Sequence, residues 1–111
     1  MKYKFSRCIC FEHPQQREMR ALYRDLLGFE EVDQSANTAE LRAGNFRLFL
    51  DRKDQPTVAF ELLVPNAEEA KAELLAKGFE LLRWDGPGKS QFLRDPFGII
   101  FNLYEEPEAF K

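Results

Sequence analysis

Leu27-Gly28-Phe29-Glu30 returns as Lys77-Gly78-Phe79-Glu80 fifty residues later, and the elements predicted around each copy recur in one order. A repeat of that period means that one supersecondary unit has been used twice. In the first half, Lys4 to Phe11 alternate as a strand, with Phe5, Arg7, Ile9 and Phe11 on one face and Ser6, Cys8 and Cys10 on the other. Met19, Leu22, Tyr23, Leu26 and Leu27 then recur at helical spacing, predicting an amphipathic helix over about 14–27 that admits Pro14 in its first turn and stops at Gly28. Phe29 to Val32, Thr38 to Arg42 and Phe46 to Asp51 read as three short strands separated by polar and Gly-containing turns.

From Thr57 the order begins again. Thr57 to Val64 is a strand, and Asn66 with Glu69 three residues on is a capping signal for a helix over about 66–77 that ends at Gly78. Phe79 to Trp84, Ser90 to Arg94 and Gly98 to Tyr104 are the next strands. Each half is therefore βαβββ, with module one at about 1–53, module two at about 54–106 and a charged tail, expected to fray, at 105–111. Before the last strand, Pro96 and Gly98 predict a tight turn over Asp95-Pro96-Phe97-Gly98. Alternation then sends Ile99, Phe101 and Leu103 to one face and Ile100, Asn102 and Tyr104 to the other. Asn102 is the one polar residue in this run: either a neighbouring polar group pairs with it, or it lines a cavity.

At 111 residues the chain has room for one domain and a modest core. Net charge −3 and a pI near 5.2 provide no footprint for nucleic acid or an anionic membrane, and no apolar run is long enough to span a bilayer. Without a leader pattern at Met1-Lys2-Tyr3-Lys4, the expected compartment is the cytoplasm. Eleven phenylalanines suggest either a dense core or a cavity that receives something flat and apolar. Cys8 and Cys10 stand on one strand face about 6–7 Å apart, too far for a disulfide, and are expected as free, buried thiols.

The duplicated βαβββ order, Leu22-Tyr23-Arg24-Asp25-Leu26-Leu27-Gly28-Phe29-Glu30 after the first helix, and Asp95-Pro96-Phe97-Gly98 before the last strand resemble the vicinal oxygen chelate superfamily. That superfamily holds glyoxalase I, extradiol dioxygenases, and fosfomycin- and bleomycin-resistance proteins. The resemblance implies an α+β fold of curved mixed sheets around a concave cavity, a glyoxalase-like homodimer, and a divalent metal held by His and Glu from first and last module strands. The implied metal positions fall on Ser6 or Cys8, Phe49, Thr57 or Ala59, and Asn102. None is His, Asp or Glu, and neutral oxygens replace such ligands poorly. His13, the sole histidine, sits before Pro14 and is expected to face solvent.

Alternation puts Arg47, Phe49, Asp51 and Glu61 on the implied cavity face, where Glu61 must be paired, hydrogen-bonded or used. Its structural partner would be Arg47 or Arg94. The expected protein is a metal-free member binding a small aromatic or cationic organic ligand, as bleomycin-resistance proteins do. Phe49, Phe92 and Tyr104 would give flat contacts, and Arg47, Asp51, Glu61 and Asn102 polar ones. The alternatives are a divalent-metal-dependent lyase, isomerase or dioxygenase with non-standard ligands, and a non-catalytic interaction subunit.

Overall fold

The computed structural model describes residues 2–111 as eight strands, two α-helices and a final 3-10 turn. β1 (Lys4–Glu12), α1 (Gln16–Asp25), β2 (Glu30–Gln34), β3 (Thr38–Ala43) and β4 (Phe46–Asp51) form the first βαβββ series. β5 (Thr57–Val64), α2 (Ala67–Ala76), β6 (Glu80–Trp84), β7 (Gln91–Arg94) and β8 (Ile100–Glu105) form the second. This is the duplicated α+β order expected from the repeat. Two compact units result, one of residues 7–58 and one of residues 2–6 with 59–111, so the first residues of β1 cluster with the later half of the chain.

Both series use one hydrogen-bonding plan. In each, two antiparallel pairings (β2 with β3, β3 with β4; β6 with β7, β7 with β8) are followed by a parallel pairing of the last strand with the first, β4 with β1 and β8 with β5. Even the irregularities repeat: β2 shifts register between Glu31 and Asp33, and β6 between Leu81 and Arg83. Gly28 and Gly78, which end the two helices, have φ of +74° and +97°, a conformation that L side chains resist and that stops a helix. The predicted turn before β8 is held by Asp95, whose Oδ1 accepts the Phe97 and Ile99 N–H groups at 2.9 and 2.8 Å.

Alternation sorts the strands of each unit into an apolar helix side and a mixed far side. In residues 7–58, Ala39, Leu41, Leu48 and Leu50 are buried with Ile9, Phe11, Met19, Tyr23 and Phe29 packed against them. In the other unit Val64, Ala70, Leu93 and Leu103 are buried with Leu62, Leu74 and Phe79. Burial of each such leucine stabilises by about 1.5–3 kcal/mol. Asn66 caps α2, its Oδ1 accepting the Glu69 N–H at 2.9 Å, as its sequence predicts. α1 starts differently: Pro14 precedes it in a turn, and Gln16, 2% exposed, donates from Nε2 to the Leu50 carbonyl at 3.0 Å.

The tail does not fray as expected. Pro107–Phe110 closes a 3-10 turn, Lys4 Nζ donates to the Ala109 carbonyl, and that ammonium lies 5.0 Å from the Phe110 ring centre. Among the described residues no helix is long and apolar enough to cross a membrane.

Candidate functional site

In each unit the far side of the strands carries the candidate residues, since the helix side is filled by the core. In residues 7–58 the parallel register sets Cys8 beside Arg47, Cys10 beside Phe49 and Glu12 beside Asp51, while β3 sets Glu40 beside Phe49 and Thr38 beside Asp51. Paired residues in adjacent strands share a face, so Cys8, Cys10, Glu12, Thr38, Glu40, Arg47, Phe49 and Asp51 form one patch.

Within that patch Arg47 Nε and Nη2 donate to the two Glu40 carboxylate oxygens at 2.9 and 3.3 Å, and the guanidinium stands 5.2 Å from the Phe49 ring centre. This bidentate hydrogen bond holds the Glu40 carboxyl below the usual glutamate range. Two residues along, Cys10 Sγ lies 3.7 Å from Asp51 Oδ2, and ligand atoms of Cys10, Glu12 and Asp51 all lie within 4.8 Å of one another. Burial pushes the Asp51 carboxyl above the usual aspartate range; hydrogen bonds from Thr38 and Cys10 oppose that shift and the Glu12 charge adds to it. Asp51 Oδ1 is sealed from solvent and has no hydrogen-bond partner among the described residues, whereas Cys10 and Glu12 make further interactions. Cys8 and Cys10 form no disulfide and are half-buried on this mixed face rather than packed away as small apolar residues.

In the second unit the register aligns Glu61, Asn102 and Phe92 across β5, β8 and β7. Phe92 is 5% exposed, and the Arg83 guanidinium stands 4.0 Å from its ring centre. Asn102 is 9% exposed and its Oδ1 has no hydrogen-bond partner among the described residues, so the neighbouring polar partner considered for it is not there. Glu61 is half-buried and has no ion pair or side-chain hydrogen bond within that set. The arginines expected beside Glu61 are engaged elsewhere: Arg94 donates to Glu80 at 2.9 Å and Arg47 to Glu40. Tyr104, 46% exposed, instead lines a cavity of about 570 Å³ with Trp84, Gln91 and the Pro87-Gly88-Lys89 turn.

Sequence reasoning passed over Glu12, Glu40 and Arg83. Glu12 was legible: β1 keeps its alternation one residue beyond Phe11 and brings a carboxylate, 4% exposed, onto the Ser6-Cys8-Cys10 face. His13 follows it, half-buried, with Nδ1 accepting the Gln15 N–H at 2.9 Å, and it stands outside the thiol and carboxylate cluster. The residues at the family's implied metal positions, Ser6 or Cys8, Phe49, Thr57 or Ala59, and Asn102, do not fit a divalent metal. Ala59, 0% exposed, and Phe49 offer no donor atom.

A glyoxalase-like domain model matches residues 8–104. Comparison with curated proteins finds no significant match. Among solved structures the chain is similar to a glyoxalase/bleomycin resistance protein/dioxygenase superfamily member from Vibrio splendidus 12B01, at 16% identity and a TM-score of 0.67 over 89% of this chain and 97% of that one. It is also similar to a Mn(II)-bound glyoxalase from Novosphingobium aromaticivorans (19%, TM-score 0.65, 94% of this chain and 39% of that one). A third likeness is to an extradiol ring-cleaving dioxygenase from B. fuscum (20%, TM-score 0.64, 96% and 32%), so the chain spans only 39% and 32% of those two longer proteins. These likenesses give the fold alone, but the domain match covers nearly the whole chain, which belongs to the glyoxalase-like domain family.

Proposed function

We propose that this protein binds a small aromatic or cationic organic molecule on the far side of its second module, without a metal at the family's ligand positions. The observation that carries the reading is the pairing in one register line of two acceptors without a donor among the described residues, Asn102 Oδ1 and the Glu61 carboxylate, beside the Phe92 ring. A buried acceptor left without a donor costs about 1–3 kcal/mol, which a ligand N–H returns on binding. An ammonium or amidinium group answers the carboxylate and the amide oxygen together, and a flat body suits the aromatic side chain. Arg83 over Phe92 is an internal example of a planar cation on that ring.

Proflavine, a planar aromatic cation, tests this by fluorescence titration. Saturable binding that falls about tenfold in Glu61→Gln, a loss of about 1.4 kcal/mol, is the expected result. Binding that ignores the substitution, or equal affinity for an aromatic anion of similar size, would overturn it.

The reading includes a second copy of the chain. In the second unit Phe5, Phe97 and Ile99 are 65%, 88% and 45% exposed, and Phe5 stacks on Phe101 at 5.9 Å between ring centres, a run of apolar surface that a homodimer would cover. Sedimentation at tens of micromolar should give twice the 13.0 kDa chain mass, and a 13.0 kDa species alone would count against the dimer. Two cysteines that form no disulfide suit a cytoplasmic, reducing compartment.

A further inference from the structure

We infer that Cys10, Glu12 and Asp51 form a binding site for one borderline divalent cation of the zinc or cobalt class, two residues along the strands from the family's metal positions. Three observations, all within the first module, lead there. The parallel register places the three residues on one face of adjacent strands, from which each projects one donor: a thiol sulfur and two carboxylate oxygens within 4.8 Å of one another. Glu12 is 4% exposed and Asp51 is half-buried, so two carboxylates meet largely out of bulk water, where a cation bound between them would offset their repulsion. Asp51 keeps one oxygen that is sealed from solvent and has no hydrogen-bond partner among the described residues, although Thr38 and Cys10 both serve the same carboxyl.

The donor set selects the ion. A thiolate excludes magnesium and calcium, which take oxygen ligands, and favours zinc, cobalt or ferrous iron. Donors around one tetrahedral zinc stand roughly 3.3–3.6 Å apart, from Zn–S near 2.3 Å and Zn–O near 2.0–2.2 Å, so the cluster has to contract by about 1 Å, within the reach of side-chain rotation. On binding, the Cys10 thiol releases its proton to solvent as the metal–sulfur bond forms. Three protein ligands leave a fourth position open to water or to an oxygen of a small molecule. This is the non-standard ligand set that a metal-dependent reading of the family would need, and it is independent of the Glu61–Asn102 patch.

Cobalt(II) added to the whole reduced protein under a non-thiol reductant provides the test. The expected result is one equivalent bound, with a near-ultraviolet sulfur-to-cobalt charge-transfer band that zinc abolishes. The band should vanish in Cys10→Ser and persist in Cys8→Ser, and Asp51→Asn should weaken binding by more than about tenfold. If Cys10→Ser does not fold, the wild-type band together with its persistence in Cys8→Ser and the Asp51→Asn affinity loss still decides. No band in the wild type, a band that follows Cys8, or affinity unchanged in Asp51→Asn overturns the site. Proflavine binding unaffected by zinc shows that the ligand reading stands or falls separately.

Discussion

On the β1–β4 pair of the first module, a thiol, two carboxylates and a neutralised Glu40–Arg47 pair share the far side; on the matching β5–β8 pair of the second, the Glu61 carboxylate and Asn102 Oδ1 stand side by side without a hydrogen-bond partner among the described residues. The same strand order, the same parallel closing pair and a register shift in the corresponding strand support both. Their difference teaches that the duplicated architecture is specified by the helix side, where Leu41, Leu50, Leu93 and Leu103 are sealed, while the opposite side is chemically free. Chemistry could diverge between the halves because it is not what holds either of them together.

The largest expected effects therefore lie on the helix side. Leu50→Ala in β4 and Leu103→Ala in β8 should each cost about 2–5 kcal/mol in denaturant unfolding, since each deletes a fully buried side chain. Losses under about 1 kcal/mol at both positions would break the division between supporting and functional faces.

A smaller effect belongs to the ion pair of the first module. Arg47→Met removes an exposed bidentate pair and should cost no more than about 1 kcal/mol, less at high salt. Because the folded-state Glu40 carboxyl is held below its unfolded value, its contribution is complete above the ordinary glutamate range and is lost as pH falls through the lowered value. Wild type and Arg47→Met should accordingly converge in melting temperature in acid and separate toward neutrality. Divergence in acid would reverse the assignment.

The smallest effect on stability is expected at Glu61. With no ion pair to break among the described residues, Glu61→Gln should shift unfolding by no more than about 0.5 kcal/mol while weakening cationic ligands. A loss of several kcal/mol would reveal a structural partner and remove the contrast with the first module.

How far the sequence reached follows the same division. Every strand and both helices were legible because periodicity and the Gly28, Gly78 and Asp95–Gly98 signals are local. Alternation also sorted Phe49, Asp51, Glu61 and Asn102 correctly to the far sides. What it could not provide was pairing across strands. Arg94 finds Glu80 through the β6–β7 register, Arg47 finds Glu40 through β3–β4, and Glu12 meets Asp51 only because β1 and β4 run parallel in that register. A one-residue error in the end of β1 was enough to leave Glu12 out of the cluster. The tail was misread for a similar reason: its charged letters suggest fraying, whereas the contacts of Lys4 with Ala109 and Phe110 come from the far end of the chain.

Metal content after zinc loading and dialysis, compared across wild type, Cys10→Ser, Asp51→Asn, Asn102→Ala and Glu61→Gln, tests the account most directly. It predicts about one equivalent in the wild type, retained in Asn102→Ala and Glu61→Gln and lost in Cys10→Ser and Asp51→Asn, because the first module holds the cation and the second does not. One equivalent that survives Cys10→Ser and disappears with Asn102 or Glu61 would contradict it.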